Sequence, residues 1–262
     1  PAATTAAAAA VAVPRVDTRG HACVHYRAFD PKIDEGMLSV GRQSFESDPP
    51  VELFVDLLDE LGVRENTVVM FASDNGATFD IGGADSPFFA SCGPFRGRKG
   101  SVWEGGLRVP LIANWPGKIA PGGVSDHVSA FWDLMPTFAE LAGVEAPSND
   151  GISFAPTLLG RGEQEEHAYL YWEFPGYRGQ QAIRAGKWKA VRRNLVSGEV
   201  QTQLYDLEAD PAESRDRASD KLQVLLQLEV WMEEAHRPSP EYPLQAIDQD
   251  FSISTRFLHN RQ

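Results

Sequence analysis

The sequence has little cysteine and little positive charge. Its 262 residues include only two cysteines, Cys23 and Cys92, so one disulfide is possible but a disulfide-stapled framework is excluded. Lys and Arg total 24 against 37 Asp and Glu, which gives a net charge of -13. A nucleic-acid partner is not expected, because phosphate backbones attract clustered basic side chains. No apolar run is long enough to cross a bilayer, so no membrane span is expected either.

The first 50 residues differ in texture from the rest of the chain. Residues 1–14 are mostly alanine and no basic residue precedes Arg15, so no intact signal peptide is recognised. We interpret residues 1–50 as a poorly ordered or atypical leader, either a low-complexity linker, the remnant of a longer chain or a secretory remnant. The pattern that follows predicts an α/β segment over 51–150 and a small α+β subdomain with a tail over 151–262.

Apolar spacing predicts the helices and strands. Helical spacing is found over residues 51–61, 133–142 and 220–235. Short strands are predicted over residues 67–72, 109–115, 168–173, 182–192 and 203–207. The first of these is wholly apolar and suits a central strand of a covered parallel sheet. The last three predict a small antiparallel sheet capped by the final helix, whereas the Gly- and Asp-rich residues 73–101 predict a loop.

Two oxygen donors follow the first predicted strand. Asp74 offers a carboxylate and Asn75 an amide oxygen, which are the ligand types that Ca²⁺ or Mg²⁺ accepts. Gly76 permits a turn that brings both oxygens to one cation. The alternative is a common turn in which the Asp and Asn side chains cap their own backbone. Two donors do not complete a calcium site, which takes about six to eight oxygens.

Residues 94–110 (PFRGRKGSVWEGGLRVP) form a basic loop in an otherwise acidic chain. Arg96, Arg98 and Lys99 fall within four residues, with glycines between them. Such a loop suits an anion such as sulfate or phosphate, with Lys99 as a point-charge anchor. Arg96 could fork onto an oxyanion or onto an aspartate. For each arginine the alternative is an ion pair with a surface carboxylate.

These motifs and several later ones resemble the type I, formylglycine-dependent sulfatases of the alkaline phosphatase-like superfamily. The matching motifs stand at residues 73–76 (SDNG), 95–101 (FRGRKGS), 103–110 (WEGGLRVP), 115–117 (WPG), 133–137 (DLMPT), 141–143 (LAG), 188–189 (WK) and 204–207 (LYDL). The resemblance covers about residues 51–235. It implies an α/β fold in which residues 51–150 are part of an alkaline phosphatase-like sheet sandwiched by helices.

The resemblance also implies roles for three side chains. In the family, the Asp and Asn of the Asp-Asn-Gly turn coordinate the active-site cation, which implies metal binding by Asp74 and Asn75. The cation is usually calcium, and Mg²⁺ is possible. The lysine before the Glu-Gly-Gly motif contacts the sulfate ester, which makes Lys99 the predicted catalytic and substrate-binding residue. Arg108, after that motif, is expected to be structural.

Several parts of the family pattern are not recognised before the Asp-Asn-Gly turn. Family members begin with paired aspartates on a strand, followed by a Cys-x-Pro-x-Arg motif whose cysteine becomes formylglycine, and then by histidines and another lysine. Residues 23–27 (CVHYR) lack the proline, so we interpret Cys23 as an unmodified cysteine and Cys92 as a loop thiol. The formylglycine expected in the complete enzyme is not identified, and the chain corresponds to the carboxy-terminal portion of the family.

The predicted function is the hydrolysis of sulfate monoesters, with a sulfated small molecule or glycan as substrate. One alternative is a phosphodiesterase or phosphonate hydrolase of the same superfamily, which would add histidine ligands for two zinc ions. The other is a non-catalytic remnant that holds a sulfated glycan weakly. The resemblance favours a periplasmic or extracellular location, and the sequence leaves the oligomeric state open.

Overall fold

The computed structural model of the protein describes residues 51–78 and 86–248. The predicted leader, with Cys23, lies outside these residues. The chain divides into two compact units, of which the first comprises Pro1–Ser73 with Pro110–Glu165 and the second comprises Asp74–Val109 with Glu166–Gln262. The sequence-contiguous boundaries at residues 50 and 150 stay a prediction. None of the helices in the described part of the chain has the length and hydrophobicity to cross a membrane.

The described residues of the first unit form a two-stranded sheet and three α-helices. Its elements are α1 (Val51–Glu60), β1 (Val69–Ala72), β2 (Leu111–Asn114), a further helix at Leu134–Ala142 and a short one at Ala155–Leu159. The strands β1 and β2 pair antiparallel, with Val69 opposite Asn114 and Ala72 opposite Leu111. The prediction of a parallel neighbour for β1 is therefore wrong for the described strands, because an apolar run reports burial and not the direction of the adjacent strand.

The second unit is built on a four-stranded antiparallel sheet. Its strands β3 (Leu170–Phe174), β4 (Gln180–Ala185), β5 (Trp188–Arg193) and β6 (Gln201–Asp206) follow one another in space as they do in sequence. The antiparallel sheet is confirmed, but the single strand predicted over residues 182–192 is two strands. A turn at Gly186, which adopts φ 53, separates them. A glycine inside an apolar pattern indicates such a turn, and the prediction overlooked it.

Both faces of this sheet are covered, which explains why β4 and β5 are buried almost throughout. On one face, Ala182, Val191 and Tyr205 pack against Val102 and Trp103 of the basic loop. On the other face, the sheet packs against α5, a helix at Leu222–Ala235; the residues in this second cluster are Ile183, Ala190, Leu204, Leu225, Leu228 and Met232. The sheet is thus a platform that carries the basic loop on the face opposite the helix.

The helix numbering in chain order is completed by α2 (Glu104–Leu107), α3 (Leu134–Ala142) and α4 (Ala155–Leu159). The predicted helices over residues 51–61, 133–142 and 220–235 correspond to α1, α3 and α5. Gly143 ends α3 in the left-handed conformation, at φ 70, as its position after the last apolar residue predicts.

Candidate active site

The Asp-Asn-Gly turn lies directly after β1 in the chain and is packed against the Glu-Gly-Gly segment of α2. The Gly76 N–H donates to the carbonyl oxygen of Gly106 at 3.0 Å. A Cβ atom at Gly76 would lie 1.7 Å from the carbonyl oxygen of Gly105. Only glycine fits here, because the two backbones are already in contact. The approach fixes the turn that carries Asp74, which is exposed, and Asn75, which is half-buried.

The part of the basic loop that carries Lys99 is joined to the same turn through the backbone. The Lys99 N–H donates to the carbonyl oxygen of Ala77 at 2.9 Å. Gly97 and Gly100 adopt φ 82 and 83, so the glycines on either side of Lys99 supply the left-handed conformation that the loop requires. The Lys99 side chain is exposed. The structure therefore brings the two predicted motifs together, and the meeting of their three side chains on one ligand stays a prediction.

The Glu-Gly-Gly segment has no room for side chains at its glycines. The Gly105 N–H donates to the carbonyl oxygen of Arg96 at 2.7 Å. A Cβ at Gly105 would lie 2.5 Å from the carbonyl oxygen of Gly97, and one at Gly106 would lie 2.1 Å from that of Ser101. The segment thus contacts residues 96–101 of the basic loop on one side and Gly76 on the other, so that it links the two motifs.

A buried charge network lies beneath this segment. The Lys189 ammonium of β5, which is fully buried, lies 2.8 Å from a carboxylate oxygen of Glu104 and 2.9 Å from one of Glu213. The other Glu213 oxygen accepts the Glu104 N–H at 2.7 Å. Arg184 lies 3.7 Å from Glu104, so two acids face two bases. Burial raises the pKa of Glu213, although the nearby Lys189 opposes that shift.

Arg96 and Arg108 contact aromatic rings. The Arg96 guanidinium lies 3.9 Å from the Trp103 ring centroid. It also donates to the Tyr205 hydroxyl at 3.2 Å and to the Glu213 carbonyl oxygen at 3.0 Å. Arg108 lies 4.7 Å from the Phe95 ring. The structural role expected for Arg108 stays a prediction. Through these two bonds Arg96 links the basic loop to β6 and to Glu213.

Residues 92–96 (CGPFR) have the Cys-x-Pro-x-Arg spacing, and we did not predict a role for this pentapeptide from the sequence. They stand after the Asp-Asn-Gly turn, whereas the family motif precedes it. The Cys92 thiol lies 3.4 Å from the carbonyl oxygen of Gly105. Arg96 holds this loop against Tyr205 and Glu213, and Cys92 contacts Gly105. The pentapeptide therefore packs around the Glu-Gly-Gly segment.

Glu104, Lys189 and Glu213 were not singled out as functional from the sequence. One signal was available for Lys189, which occupies an inward position of a strand whose same-face neighbour Val191 is apolar. Glu104 stands in the matching motif at residues 103–110, whereas Glu213 had no signal, because its partner Glu104 lies 109 residues away in the sequence.

Asp74 and Asn75 fit a hard cation in the chemistry of their donor atoms. A carboxylate and an amide oxygen are ligands for Ca²⁺ or Mg²⁺, and the close packing of Gly76 fixes the turn that carries them. They supply two of the about six to eight oxygens that calcium takes. Within residues 51–78 and 86–248, no group of three or more His, Cys, Asp or Glu side chains is arranged to hold a metal ion.

Two family models match the chain. The model described as N-sulphoglucosamine sulphohydrolase, C-terminal, matches residues 97–236. The model described as Sulfatase matches residues 21–144, which includes the Asp-Asn-Gly turn and the basic loop. Together the two matches extend from residue 21 to residue 236.

Curated relatives are sulfatases that are much longer than the matched segment. Mouse (Mus musculus) steryl-sulfatase is 40% identical over 141 residues, which is 51% of this chain and 22% of the relative. Bovine (Bos taurus) arylsulfatase A is 37% identical over 177 residues, which is 66% of this chain and 33% of the relative. The chain thus spans about a fifth to a third of these relatives.

Solved structures agree in fold. A sulfatase from the glycosaminoglycan-metabolising locus of Bacteroides thetaiotaomicron superimposes with a TM-score of 0.59 at 28% identity, over 70% of this chain and 42% of that chain. A structure in complex with its substrate D-glucosamine-2-N,6-O-disulfate has a TM-score of 0.55 at 26% identity, over 70% of this chain and 37% of that chain. The fold is that of the alkaline phosphatase-like superfamily, and the chain belongs to the sulfatase family.

Proposed function

We propose that this chain forms part of an enzyme that hydrolyses sulfate monoesters. Asp74 and Asn75 supply two oxygen ligands for a divalent cation, and Lys99 supplies a positive charge for the sulfate group. The observation that carries the proposal is the 2.9 Å hydrogen bond from the Lys99 N–H to Ala77, which joins the lysine loop to the turn of the two ligands. Calcium is the proposed cation, with Mg²⁺ as the second choice.

The residues present account for binding and charge stabilisation. A cation bound at the turn adds positive charge beside the sulfate oxygens. Lys99 is exposed on its loop and is free of the buried network below, so its ammonium is available to an anionic group. Charges held in place before the reaction stabilise a transition state without reorganisation. The nucleophile, which is a formylglycine in the family, is not assigned to a residue of this chain.

The relatives and solved structures support the proposed substrate class. Their names include a steryl-sulfatase, an N-acetylgalactosamine-6-sulfatase and a complex with a disulfated glucosamine. We therefore propose a sulfated small molecule or a sulfated sugar as the substrate of the complete enzyme, and a periplasmic or extracellular location.

The test is a pair of assays on the protein produced from its complete reading frame. 4-Nitrophenyl sulfate is the expected substrate and 4-nitrophenyl phosphate the competitor. Lys99→Ala is expected to lower kcat/KM for the sulfate by about 10²–10³, as for other single charge-stabilising groups. The matched control, Lys118→Ala, replaces an exposed lysine of the first unit and leaves kcat/KM unchanged.

Faster turnover of the phosphate ester would favour the phosphodiesterase or phosphonate hydrolase alternative and overturn the proposal. No turnover of either ester by a protein that still binds a sulfated sugar would establish the non-catalytic alternative. Equal losses for Lys99→Ala and Lys118→Ala would remove Lys99 from the site.

A further inference from the structure

We propose that Glu213 and Lys189 are positioning residues that hold the Asp74–Asn75 turn and the Lys99 loop in place through Glu104. This inference rests on the proposed function, because the residues that it concerns hold the proposed cation and sulfate ligands in place. Their side chains act through the Glu-Gly-Gly segment, which contacts both motifs through its backbone.

The first step of the path is the anchoring of Glu104. Its N–H donates to Glu213 at 2.7 Å, and its carboxylate accepts from Lys189 at 2.8 Å. The backbone and the side chain of Glu104 are therefore both held from the sheet side. Lys189 projects from β5 on the face that carries the basic loop, in register with Tyr205 of β6. The sheet thus sets the position at which α2 begins.

The second step runs from Glu104 to the site motifs. The next two residues in the chain are Gly105 and Gly106, and their backbones pack so closely against the motifs that neither has room for a side chain. Gly106 accepts the Gly76 N–H at 3.0 Å, and Gly105 donates to Arg96 at 2.7 Å. Glu213 also holds the basic loop directly, since its carbonyl oxygen accepts from Arg96 at 3.0 Å. A displacement of Glu104 therefore moves both the turn and the loop.

The chemistry of the network points to positioning. Buried ion pairs contribute little net stability, because the cost of removing charges from water offsets their attraction, and apolar residues of similar size often serve as well. Glu213 is fully buried and adopts φ 52, a left-handed conformation that is strained for a residue other than glycine. A costly charge on a strained backbone is accounted for by the fixed hydrogen bonds that it makes at Glu104 and Arg96.

The experiment compares variants of Glu213 by amide hydrogen exchange and calcium titration, both followed by NMR on the full chain. Glu213→Ala removes the acceptor for the Glu104 N–H. Glu213→Gln keeps an acceptor oxygen, whereas Glu213→Asp keeps the charge but withdraws it by one methylene. The matched control is Glu229→Ala, which removes an acid 3.2 Å from Arg192 in the same unit, where the acid lies on α5.

We expect the Gly76 and Lys99 amides to exchange about tenfold faster in Glu213→Ala and Glu213→Asp, with little change at the β4 and β5 amides. Glu213→Gln should restore slow exchange at both. The calcium concentration for half-saturation, read from the Asn75 amide, should rise about tenfold in the first two variants and stay near the original value in Glu213→Gln and Glu229→Ala.

Unchanged exchange at Gly76 and Lys99 in both Glu213→Ala and Glu213→Asp would overturn the inference. So would acceleration of equal size at every amide of the unit, since that marks a general loss of stability. If Glu213→Ala does not fold, Glu213→Asp and Glu213→Gln carry the comparison. Absence of any calcium response in the unaltered chain would contradict the proposed cation site, while the exchange rates would still decide whether Glu213 holds the turn and loop.

Discussion

At the scale of single residues, the site is defined by where a side chain is missing. Gly76, Gly105 and Gly106 lie at points where backbones approach too closely for a Cβ atom. The distance of 1.7 Å from a Cβ at Gly76 to the Gly105 carbonyl oxygen is far inside van der Waals contact. Because the backbone fixes the position of a Cβ atom and its neighbour is a backbone carbonyl oxygen, no side-chain rotation relieves the clash, and the chain itself must move.

A substitution at Gly76 should therefore cost both stability and calcium binding. We expect Gly76→Ala to lower the free energy of unfolding by about 1–3 kcal/mol, as other overpacked sites do, and to weaken the calcium response at Asn75. Thermal unfolding and NMR titration measure the two effects. Gly123→Ala is the control, because its nearest neighbour lies 3.7 Å away. A Gly76→Ala protein as stable as Gly123→Ala would contradict the close packing.

Predictability at this scale depended on whether a residue acts through its neighbours in sequence. Asp74, Asn75 and Lys99 stand in contiguous motifs, so the sequence indicated them. Arg96 was expected either to fork onto an anion or an aspartate or to pair with a surface carboxylate, whereas it contacts Trp103 and Tyr205. That choice depends on a strand more than 100 residues away, which no local pattern reveals.

At the scale of elements, one buried carboxylate organises the beginning of α3. Asp133, which is 1% exposed, accepts the Ala130 N–H at 2.7 Å and the Ile152 N–H at 2.9 Å. The first bond fixes the turn before the helix, and the second ties the segment before α4 to the same point. The Asp133 side chain therefore accepts one backbone N–H just before the helix and one from the segment before α4.

We expect Asp133→Ala to lower the free energy of unfolding by about 2–4 kcal/mol, because it leaves two N–H groups without an acceptor. Asp133→Asn, which keeps one acceptor oxygen, should lose about half as much. Urea unfolding measures both, with Asp126→Ala as the control for an exposed aspartate of the same unit. Equal stability of Asp133→Ala and Asp126→Ala would show that the two bonds contribute nothing.

A second polar interaction, centred on His236, joins β3 to the segment after α5. The His236 ring lies between the carboxylates of Glu173 and Asp248, with 2.6 Å between Nε2 and Asp248. Burial lowers the pKa of His236, but the hydrogen bonds to the two carboxylates outweigh it, and the pKa is raised. Only the protonated ring donates from both nitrogens, so the link is strongest when the imidazole is charged.

The stability due to His236 should therefore depend on pH. Because its pKa is higher in the folded state, the contribution is complete below the unfolded pKa of about 6.5 and is lost as the pH rises through the folded value. We expect His236→Gln to cost about 1–3 kcal/mol near pH 5.5 and less at pH 9. Urea unfolding at both pH values checks this, with His127→Gln as control. A cost that stays constant with pH would contradict the charged link.

At the scale of the whole molecule, the acidic balance bears on the test of the proposed cation site. The net charge of -13 favours the attraction of cations in general, so a specific site must be separated from diffuse binding. A ligand that binds the folded state alone stabilises it, by about 1.4 kcal/mol at ten times its Kd. Diffuse binding shows no dependence on a single carboxylate.

We expect calcium chloride to raise the Tm of the chain by about 2–4 °C at ten times the Kd. Asp74→Ala should abolish that rise, whereas Asp126→Ala should retain it. Differential scanning calorimetry at constant ionic strength measures the shift, and sodium chloride is the salt control. An equal rise in all three proteins would assign the effect to the overall charge and remove Asp74 from the proposed site.

The sequence by itself determined the family, the helices α1, α3 and α5, the antiparallel sheet and the two motifs of the candidate site, because each is encoded by contiguous residues with a local spacing. The tertiary structure alone decided the direction of the strand next to β1, the division of residues 182–192 into two strands around Gly186, and the buried network of Glu104, Lys189 and Glu213. Strand direction and charge pairing depend on contacts between distant segments. Those contacts form only when folding buries the segments together, so the local sequence pattern does not predict them.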